Sequence, residues 1–222
     1  MDGHPGWNPD TVTVLWCTTD GDERRTARTL LLRNAARMLG VPESEVWVEH
    51  EPGGRPLLGG AGAGVRVSVA HTRGAVAIAL TGRAFVGVDV ERVRRLRAGP
   101  MARAWLHPDE AAWIGGLPER ERSVAFLWLW TQKEAVGKAL GRGLRGGGMS
   151  RRMPLPRHWP PGRDAPPVPS PVPGAGALAS TAVLADGGGH VLGVALPGAA
   201  GEGSGEGGVH VEVRRIASGA RA

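Results

Sequence analysis

The sequence predicts an α+β protein made of two similar lobes, each a small antiparallel sheet packed on a long helix. Two observations support this prediction. Each half of the 222-residue chain holds strand patterns joined by a turn, and each half holds one long helical pattern. A chain of this length can form one large domain or two small ones, with a substantial core in either case. We therefore expect an N-terminal α+β lobe over residues 1–87 and a C-terminal lobe over residues 88–222.

The first half contains one helix and several short strands. Residues 23–39 predict a helix that Gly40 ends. Residues 51–64 are rich in glycine and proline and predict a loop. The apolar stripe of the helix is expected to consist of Leu31, Leu32, Ala35, Met38 and Leu39. Strands are predicted over residues 11–17, 45–49, 65–70, 75–80 and 85–91.

The second half contains the strongest helical pattern of the chain, over residues 119–140. Gly141 and Gly143 follow it and close it. Residues 101–114 hold the start of a short helix, in which HPDE resembles a capping turn. Residues 145–175 are dense in proline and glycine and predict a long loop without a packed element. A flexible connector is expected over residues 201–207, and strands over residues 177–184, 190–196 and 209–213.

Composition limits the partners and the compartment. The chain has 27 lysines and arginines against 21 acidic residues, a net charge of +6 and a pI of about 11.0. This charge favours an anionic partner (a nucleic acid, a phosphorylated ligand or an acidic protein), although solubility alone would also explain it. Cys17 is the single cysteine, so a reducing compartment is expected, with the cytoplasm as the default. No apolar run reaches the roughly 18 residues that a membrane span needs, and the N-terminus shows no signal pattern.

Two carboxylates lie on one predicted strand. Residues 85–91 read FVGVDVE, in which three valines alternate with Gly87, Asp89 and Glu91. Side chains two residues apart on a strand point the same way, so Asp89 and Glu91 project together, with their Cα atoms about 6.5–7 Å apart. Magnesium takes oxygen ligands and typically binds one or two carboxylates together with substrate phosphates. The pair indicates either a magnesium site or a solvated strand face.

Lysine usage draws attention to the long helix. Of the 27 basic residues only two are lysine, Lys133 and Lys138, and both flank Glu134 in WTQKEAVGK. Glu134 and Lys138 have the spacing of a surface ion pair that stabilises a helix by about 0.2–0.5 kcal/mol. Arginine would serve in such a pair equally well. Lysine is a compact charge whose pKa can be lowered, so it is also a candidate general acid or phosphate contact.

Two further positions suit a phosphate ligand. His71 lies at a strand end in SVAHTRG, with Arg73 nearby, and Arg55 lies in the glycine-rich loop GGRPLL. His71 is also consistent with an ordinary turn or core residue, and Arg55 with an ordinary turn residue.

These residues together resemble a known family. VGVDVE at residues 86–91, followed by WTQKEAVGKALGRGL at residues 130–144, resembles the two-part signature of 4′-phosphopantetheinyl transferases of the Sfp-like (surfactin synthetase-activating) type. Three shorter landmarks of the family also occur in order: GRP at 54–56, AHT at 70–72 and WLHPDE at 105–110. The resemblance covers about residues 24–145.

The resemblance implies an activity and a metal site. A protein of this kind moves the 4′-phosphopantetheine arm of coenzyme A to a serine of an apo carrier protein and releases adenosine 3′,5′-bisphosphate. It implies that Asp89, Glu91 and Glu134 hold Mg²⁺ and that Glu134 is the base for the carrier serine. Lys138 would neutralise or protonate the leaving phosphate. The family fold implied is a pseudo-two-fold pair of lobes with the active site at their interface.

The resemblance also implies a binding site for coenzyme A. His71 and Thr72 would contact its phosphates, and Arg28 and Arg55 its 3′-phosphate region. Lys133 would contact phosphate or the adenine side. The partners implied are acyl or peptidyl carrier proteins of polyketide, nonribosomal peptide or fatty acid synthases, without nucleic acid or membrane, and the protein would act as a cytoplasmic monomer.

The sequence departs from the family pattern in a few places, and other functions stay open. Ala70 replaces a serine that would supply a hydroxyl to the ligand, whereas Thr72 and Thr131 keep theirs. One alternative is a Mg²⁺-dependent phosphodiesterase or nuclease. Such nucleases usually carry their glutamate and lysine as E-x-K on a strand, whereas here the spacing is E-x-x-x-K on a helix. A basic binding module without catalysis is the other alternative.

Overall fold

The computed structural model describes residues 8, 10–145, 147–162, 165–198 and 210–217. It confirms an α+β protein: the described residues form small sheets and four α-helices. The helices are α1 (Glu23–Leu39), α2 (Ala98–Trp105), α3 (Pro108–Gly116) and α4 (Glu119–Ala139). The strands are β1 (Thr11–Thr18), β2 (Val46–His50), β3 (Pro56–Gly60), β4 (Arg66–Thr72), β5 (Ala75–Thr81), β6 (Gly87–Arg92), β7 (Ser170–Pro171), β8 (Leu178–Ala185), β9 (His190–Pro197) and β10 (His210–Arg215).

The strands form two four-stranded sheets and one hairpin. The first sheet has the order β10-β1-β5-β4, the second has the order β6-β9-β8-β7, and β2 pairs with β3 alone. One core lies between the two sheets, a second between the first sheet and α1, and a third between the second sheet and α2–α4. The molecule is therefore layered, with α1 outside one sheet and α4 outside the other.

The alternation of side chains along β5 and β6 shows how these layers pack. On β5 the alanines at 75, 77 and 79 face the second sheet, whereas Val76, Ile78 and Leu80 face α1. Small side chains between the sheets let the two backbones approach closely. On β6 Val88 and Val90 enter the core between the sheets. The opposite face of β6 is covered by α4, so the interpretation of Asp89 and Glu91 as a solvated strand face is wrong.

Helix α1 begins and ends as predicted, but its buried face differs. Asp22 caps it by accepting a hydrogen bond from the backbone N–H of Arg25, and Gly40 ends it with φ of 69°. Leu31 and Ala35 are buried as expected, whereas Leu32, Met38 and Leu39 are only partly buried. The buried residues are Thr26, Ala27, Leu30, Leu31, Ala35 and Ala36.

Helix α4 is seated on two glycines of the second sheet. A Cβ atom at Gly87 would overlap the carbonyl oxygen of Ala135, and one at Gly193 would overlap the backbone of Thr131. The helix therefore lies closer to β6 and β9 than any side chain would allow. This close approach sets the distance between α4 and the carboxylates of β6.

The HPDE turn caps α3 as predicted. The side chain of His107 accepts from the backbone N–H of Asp109, and the Glu110 carboxylate accepts from the backbone N–H of His107, which completes a capping box. Helix α2 precedes it and begins at Ala98, before the short helix that the sequence predicts from residue 101.

Two segments expected to be loops differ in outcome. Strand β3 forms inside the predicted loop 51–64 and pairs with β2, and the indole of Trp47 lies over Gly59 and Gly60. Among residues 145–175, those that the structure describes contain only the two-residue strand β7, which agrees with the prediction. This segment is nevertheless packed, since Met153 and Val172 are buried in the third core and the indole of Trp159 meets two tryptophans of the helices edge-on.

The last strand returns to the first sheet. β10 pairs in parallel with β1, so chain order does not follow sheet order. The predicted strand 209–213 corresponds to β10, except that residue 209 lies outside the described residues, as does the connector 201–207. The boundary between residues 87 and 88 stays a prediction, and so does the pseudo-two-fold relation of two lobes.

Candidate active site

Asp89 is the most enclosed carboxylate of the predicted site. It lies on the face of β6 that α4 covers and is only 8% exposed. One carboxylate oxygen, Oδ1, accepts a hydrogen bond of 2.9 Å from Nζ of Lys138. The other, Oδ2, is buried and has no hydrogen-bond partner among the described residues. A buried carboxylate oxygen without a donor is costly, so this atom requires an explanation.

Three acidic side chains influence one another at this position. Burial raises the pKa of Asp89 to about 6, Lys138 opposes the shift, and the charges of Glu134 and Glu91 add to it. Burial also raises the pKa of Glu134, to which the charge of Glu91 contributes. The structure therefore brings the three predicted acidic residues within electrostatic reach, Asp89 and Glu91 from β6 and Glu134 from α4.

Lys138 connects the helix to the strand. Its ammonium donates to Asp89 Oδ1 and, at 2.9 Å, to the backbone carbonyl of Val88. The expected surface ion pair with Glu134 is thus replaced by a bond across to β6, although Lys138 still lowers the pKa of Glu134 through its charge. The Lys138 side chain is 30% exposed, so its ammonium can also meet a ligand.

The donor atoms suit a divalent cation, but they are not yet assembled around one. Carboxylate oxygens are the ligands that magnesium prefers, and Asp89 Oδ2 is left open for one. Lys138 bonds the other oxygen of Asp89, and Arg94 bonds Glu91 at 2.7 Å. Within the described ranges, no three His, Cys, Asp or Glu side chains are placed so as to hold a metal ion. Binding would thus require rearrangement of these side chains.

A cavity of about 630 Å³ opens beside Lys138. It lies between β4 of the first sheet and the C-terminal end of α4, where Ser68 Oγ accepts from the backbone N–H of Val88 and ties the two sheets together. Four cationic side chains line it: Arg55, Lys138, Arg142 and Arg145. A volume of this size suits a nucleotide-sized ligand, and the lining favours an anionic one.

Arg55 lines this cavity, and neighbouring groups hold its side chain. Its Nη2 donates to the carbonyl of Ala139 at 3.1 Å, and its Nε lies 3.8 Å from the carboxylate of Glu51. A side chain at Gly141 would overlap the guanidinium, and Gly141 has φ of 68° besides. Arg55 therefore links the loop before β3 to the end of α4, so the reading of it as an ordinary turn residue is wrong.

The other predicted coenzyme A contacts lie outside this cavity. His71 and Thr72 lie at the end of β4, and the described lining of the cavity stops at Val69. His71 is exposed and its charge contributes to lowering the pKa of Glu23, which chiefly follows from the hydrogen bond that Gly74 donates. Arg28 is exposed on α1. Their roles stay predictions.

The structure contradicts the phosphate contact that the sequence predicts for Lys133. Its side chain is fully buried and forms an ion pair of 2.8 Å with Glu110, whose side chain is also fully buried. It also donates to the carbonyl of Arg151, and Glu110 accepts from the backbone N–H of Met153 at 2.7 Å. An ammonium enclosed in this way cannot reach a phosphate, so Lys133 joins α3, α4 and the loop after α4 instead.

Arg142 and Arg145 are the lining residues that sequence reasoning missed. Both lie in GRGLR, directly after α4. The signal was present, because this stretch directly follows the helix that carries Glu134 and Lys138. Among 25 arginines, however, composition does not distinguish these two.

Fold and site together define an α+β protein with a carboxylate cluster beside an arginine-lined cavity, a combination suited to a phosphorylated ligand. Comparison with known proteins agrees. Residues 85–159 match the family described as the 4′-phosphopantetheinyl transferase superfamily. This match contains β6, α4 and the three acidic residues, so the resemblance to 4′-phosphopantetheinyl transferases of the Sfp-like type is confirmed.

Two curated relatives have the same description. The chain is 29% identical over 109 residues to 4′-phosphopantetheinyl transferase HetI of Nostoc sp., which covers 48% of this chain and 46% of the relative. It is 24% identical over 115 residues to 4′-phosphopantetheinyl transferase gsp of Aneurinibacillus migulanus, covering 52% and 46%. The chain thus spans about half the length of the curated relatives it matches. These matches do not favour the phosphodiesterase or nuclease alternative. Separately, no helix in the described part of the chain has the length and apolarity to cross a membrane.

Proposed function

We propose that this protein transfers the 4′-phosphopantetheine arm of coenzyme A to the serine hydroxyl of an apo carrier protein in a Mg²⁺-dependent reaction. The observation that carries the proposal is the coupled set of Asp89, Glu91 and Glu134 beside Lys138, at the edge of a cationic cavity. The family match over residues 85–159 supports the same reaction.

The chemistry is a phosphoryl transfer. The serine oxygen attacks the phosphorus that bears the pantetheine arm, the bond from that phosphorus to the bridging oxygen breaks, and adenosine 3′,5′-bisphosphate leaves. Catalysis of this kind rests mainly on positioning and on stabilising negative charge. The serine proton passes to Glu134, directly or through water. The raised pKa of Glu134 suits a group that accepts a proton near neutral pH.

All three acidic residues are proposed to serve the metal, and Glu134 also accepts the proton. Asp89, Glu91 and Glu134 would hold Mg²⁺, which when bound neutralises the diphosphate. Asp89 contributes the open oxygen Oδ2. Lys138 then serves the leaving phosphate as a charge or a proton donor, for which its position between Asp89 and the cavity is suited.

Coenzyme A is proposed to bind with its nucleotide end in the cavity. Arg55, which lines the cavity, would contact the phosphates of coenzyme A. Arg28, His71 and Thr72 extend the proposed site along α1 and β4, outside the cavity lining. The net charge of +6 suits acidic carrier proteins through electrostatic steering. We further propose that the protein acts as a cytoplasmic monomer on carriers of polyketide, nonribosomal peptide or fatty acid synthases.

The test is to incubate the protein with coenzyme A, Mg²⁺ and purified apo carrier proteins, both acyl and peptidyl, and to weigh the carriers by mass spectrometry. The expected result is the gain of one phosphopantetheine group on at least one carrier. A carrier whose serine is replaced by alanine is the control and should gain nothing. Unchanged masses across both classes of carrier would reject the proposal.

A further inference from the structure

Ser68 is a polar residue in an apolar layer. Ala70, two residues further along β4, belongs to the core between the sheets, whereas Val67 belongs to the core under α1. Ser68 therefore shares the face of Ala70, towards the second sheet, and it is only 4% exposed. Its pairing partner on β5 is Ala79, so a small apolar side chain suits this layer. A hydroxyl buried among such neighbours is costly unless it is hydrogen-bonded.

The partner of this hydroxyl is the edge of β6. Strand β6 lies at one end of the second sheet, and the backbone groups on the open side of an edge strand need partners from elsewhere. At Val88 the side chains of two other elements supply them. The N–H of Val88 donates to Ser68 Oγ at 3.0 Å, and its C=O accepts from Nζ of Lys138 at 2.9 Å. The first sheet and α4 therefore both bind β6 at the residue before Asp89.

The same hydrogen bonds lead directly to the proposed site. The ammonium of Lys138 that donates to the Val88 carbonyl also donates to Asp89 Oδ1 at 2.9 Å, so consecutive residues of β6 engage two of its three N–H groups. Ser68 and Lys138 both line the cavity. A shift of Val88 away from β4 would therefore move Asp89 and Lys138 relative to the cavity wall that β4 forms.

We propose that Ser68 is a positioning residue for Asp89 and Lys138. It holds the backbone of Val88 and thereby fixes both groups relative to the first sheet. This inference rests on the proposed function. Without the hydroxyl, a buried N–H donor has no partner, and relaxation of β6 to satisfy that donor displaces the carboxylate. Loss of a group that orients a metal ligand typically lowers metal affinity or activity about ten- to a hundredfold.

The experiment compares Ser68→Ala with Ser180→Ala. Ser180 of β8 is also buried, and its hydroxyl donates to Gln132 at 2.9 Å, so this control loses a buried hydrogen bond that does not involve β6. For the wild type and both variants, kcat and the KM values for coenzyme A and one carrier are measured. Titration calorimetry with MgCl₂ alone gives the dissociation constant for Mg²⁺.

We expect Ser68→Ala to lower kcat about ten- to a hundredfold and to raise the dissociation constant for Mg²⁺ by a similar factor, with both KM values unchanged. Ser180→Ala should match the wild type in all four quantities. Circular dichroism should show both variants folded, because alanine fits the layer around Ser68. The magnesium titration needs no carrier, so it tests Ser68 even if the proposed transfer fails.

Three results would overturn the role of Ser68. The first is wild-type kcat and magnesium affinity in Ser68→Ala. The second is an equal loss in Ser180→Ala, because the effect would then follow from the loss of any buried hydrogen bond. The third is a rise in KM for coenzyme A alone, because Ser68 would then contact the substrate instead of positioning the groups that act on it.

Discussion

Asp89 combines burial, one strong partner and one open oxygen. Its Oδ1 is bonded to Lys138, whereas Oδ2 has no donor among the described residues, and burial raises its pKa to about 6. A carboxyl in this state is destabilised when it ionises, and a bound cation relieves that cost. Magnesium should therefore stabilise the folded protein before any substrate is added.

We predict that MgCl₂ raises the Tm of the wild type at pH about 7.5, because a ligand that binds only the folded state stabilises it. At a hundred times the dissociation constant the gain is about 2.7 kcal/mol, which corresponds to several degrees for a chain of this size. Asp89→Asn keeps an acceptor for Lys138 but should lose most of the shift in differential scanning fluorimetry. Equal shifts in the two proteins would contradict the metal site.

Glu134 is predicted to act as the base. Glu134→Gln preserves the shape of the side chain and one acceptor oxygen but removes the basic carboxylate and its charge, so transfer of phosphopantetheine should fall by about 10²- to 10⁴-fold. Circular dichroism should show an unchanged fold, since Glu134 is only half-buried. Near wild-type turnover of the variant would reject this role.

Lys133 shows why lysine rather than arginine occupies one position of the helix. The enclosed site offers Glu110 and the carbonyl of Arg151, which match a compact ammonium better than five guanidinium donors. The identity of Lys133 is therefore explained by burial, whereas the partly exposed Lys138 bonds to Asp89 and to the carbonyl of Val88.

Removing one partner of a buried pair should leave an uncompensated charge. Lys133→Met is expected to lower the free energy of unfolding by about 3–5 kcal/mol. Adding Glu110→Gln, which removes the charge but keeps an acceptor oxygen for a backbone N–H group, should recover part of the loss. Lys138→Met is the matched control from the only other lysine, which is partly exposed and should cost less. Urea denaturation measures all three. A double variant as unstable as Lys133→Met would show that the ion pair itself is not the cause.

At the scale of elements, the site depends on how closely α4 approaches β6. Gly87 of β6 lies directly against the backbone of α4, near the turn of the helix that carries Lys138. This contact leaves no space for a side chain at position 87. The distance between the strand carrying Asp89 and the helix carrying Glu134 is therefore set by backbone contact rather than by adjustable side chains.

We predict that Gly87→Ala displaces α4 and lowers stability by more than the 1–3 kcal/mol or so typical of overpacking, because the obstructing atoms are backbone atoms of Ala135 and Ala139. The loss of transfer activity should accompany the loss of stability. Gly115→Ala on α3 is the matched control, since nothing lies within 4 Å of its added Cβ; it should be neutral or stabilising by up to about 1 kcal/mol. Wild-type stability of Gly87→Ala would contradict this account of the site.

At the scale of the whole molecule, β10 and the turn before β9 connect the two sheets. Arg215 of β10 forms an ion pair with Asp186 and lies 5.2 Å over the ring of Trp16. His190 is buried in the same place, 5.5 Å from that ring, with its Nδ1 3.6 Å from the Asp186 carboxylate. The C-terminal strand is thus joined to both sheets by one cluster.

This cluster should make stability sensitive to pH. Burial lowers the pKa of His190, and Arg92 and Arg215 add to this while Asp186 opposes it. The unfolded chain takes up the proton near pH 6.5, so the stabilising contribution is present above that pH and lost as the pH falls through the folded pKa. We expect the difference in unfolding free energy between pH 7.5 and pH 5.5 to be smaller in His190→Gln. The exposed His50→Gln is the control, and an equal change in both variants would contradict the assignment.

Elements with a regular local pattern could be predicted from the sequence. Helix α1 and the strands of the β4–β5 hairpin were placed correctly because their periodicity and turn residues are local. The sequence did not predict strand β3, because its glycines are typical of a loop. Only the tertiary structure shows that the indole of Trp47 lies over them. The role of Lys133 was missed because Glu110 lies 23 residues away and nothing local indicates that both are buried.

The sequence by itself determined the α+β class, the alternation that places Asp89 and Glu91 on one face of β6, and the family resemblance. These follow from local periodicity and from short motifs. Only the tertiary structure decided which charges lie together: Lys138 with Asp89, Lys133 with Glu110, and Arg55 beside Arg142 and Arg145 in the lining of one cavity. The physical reason is that such contacts join residues distant in the chain, and burial then decides which charged side chain must have a partner and which can bind a ligand.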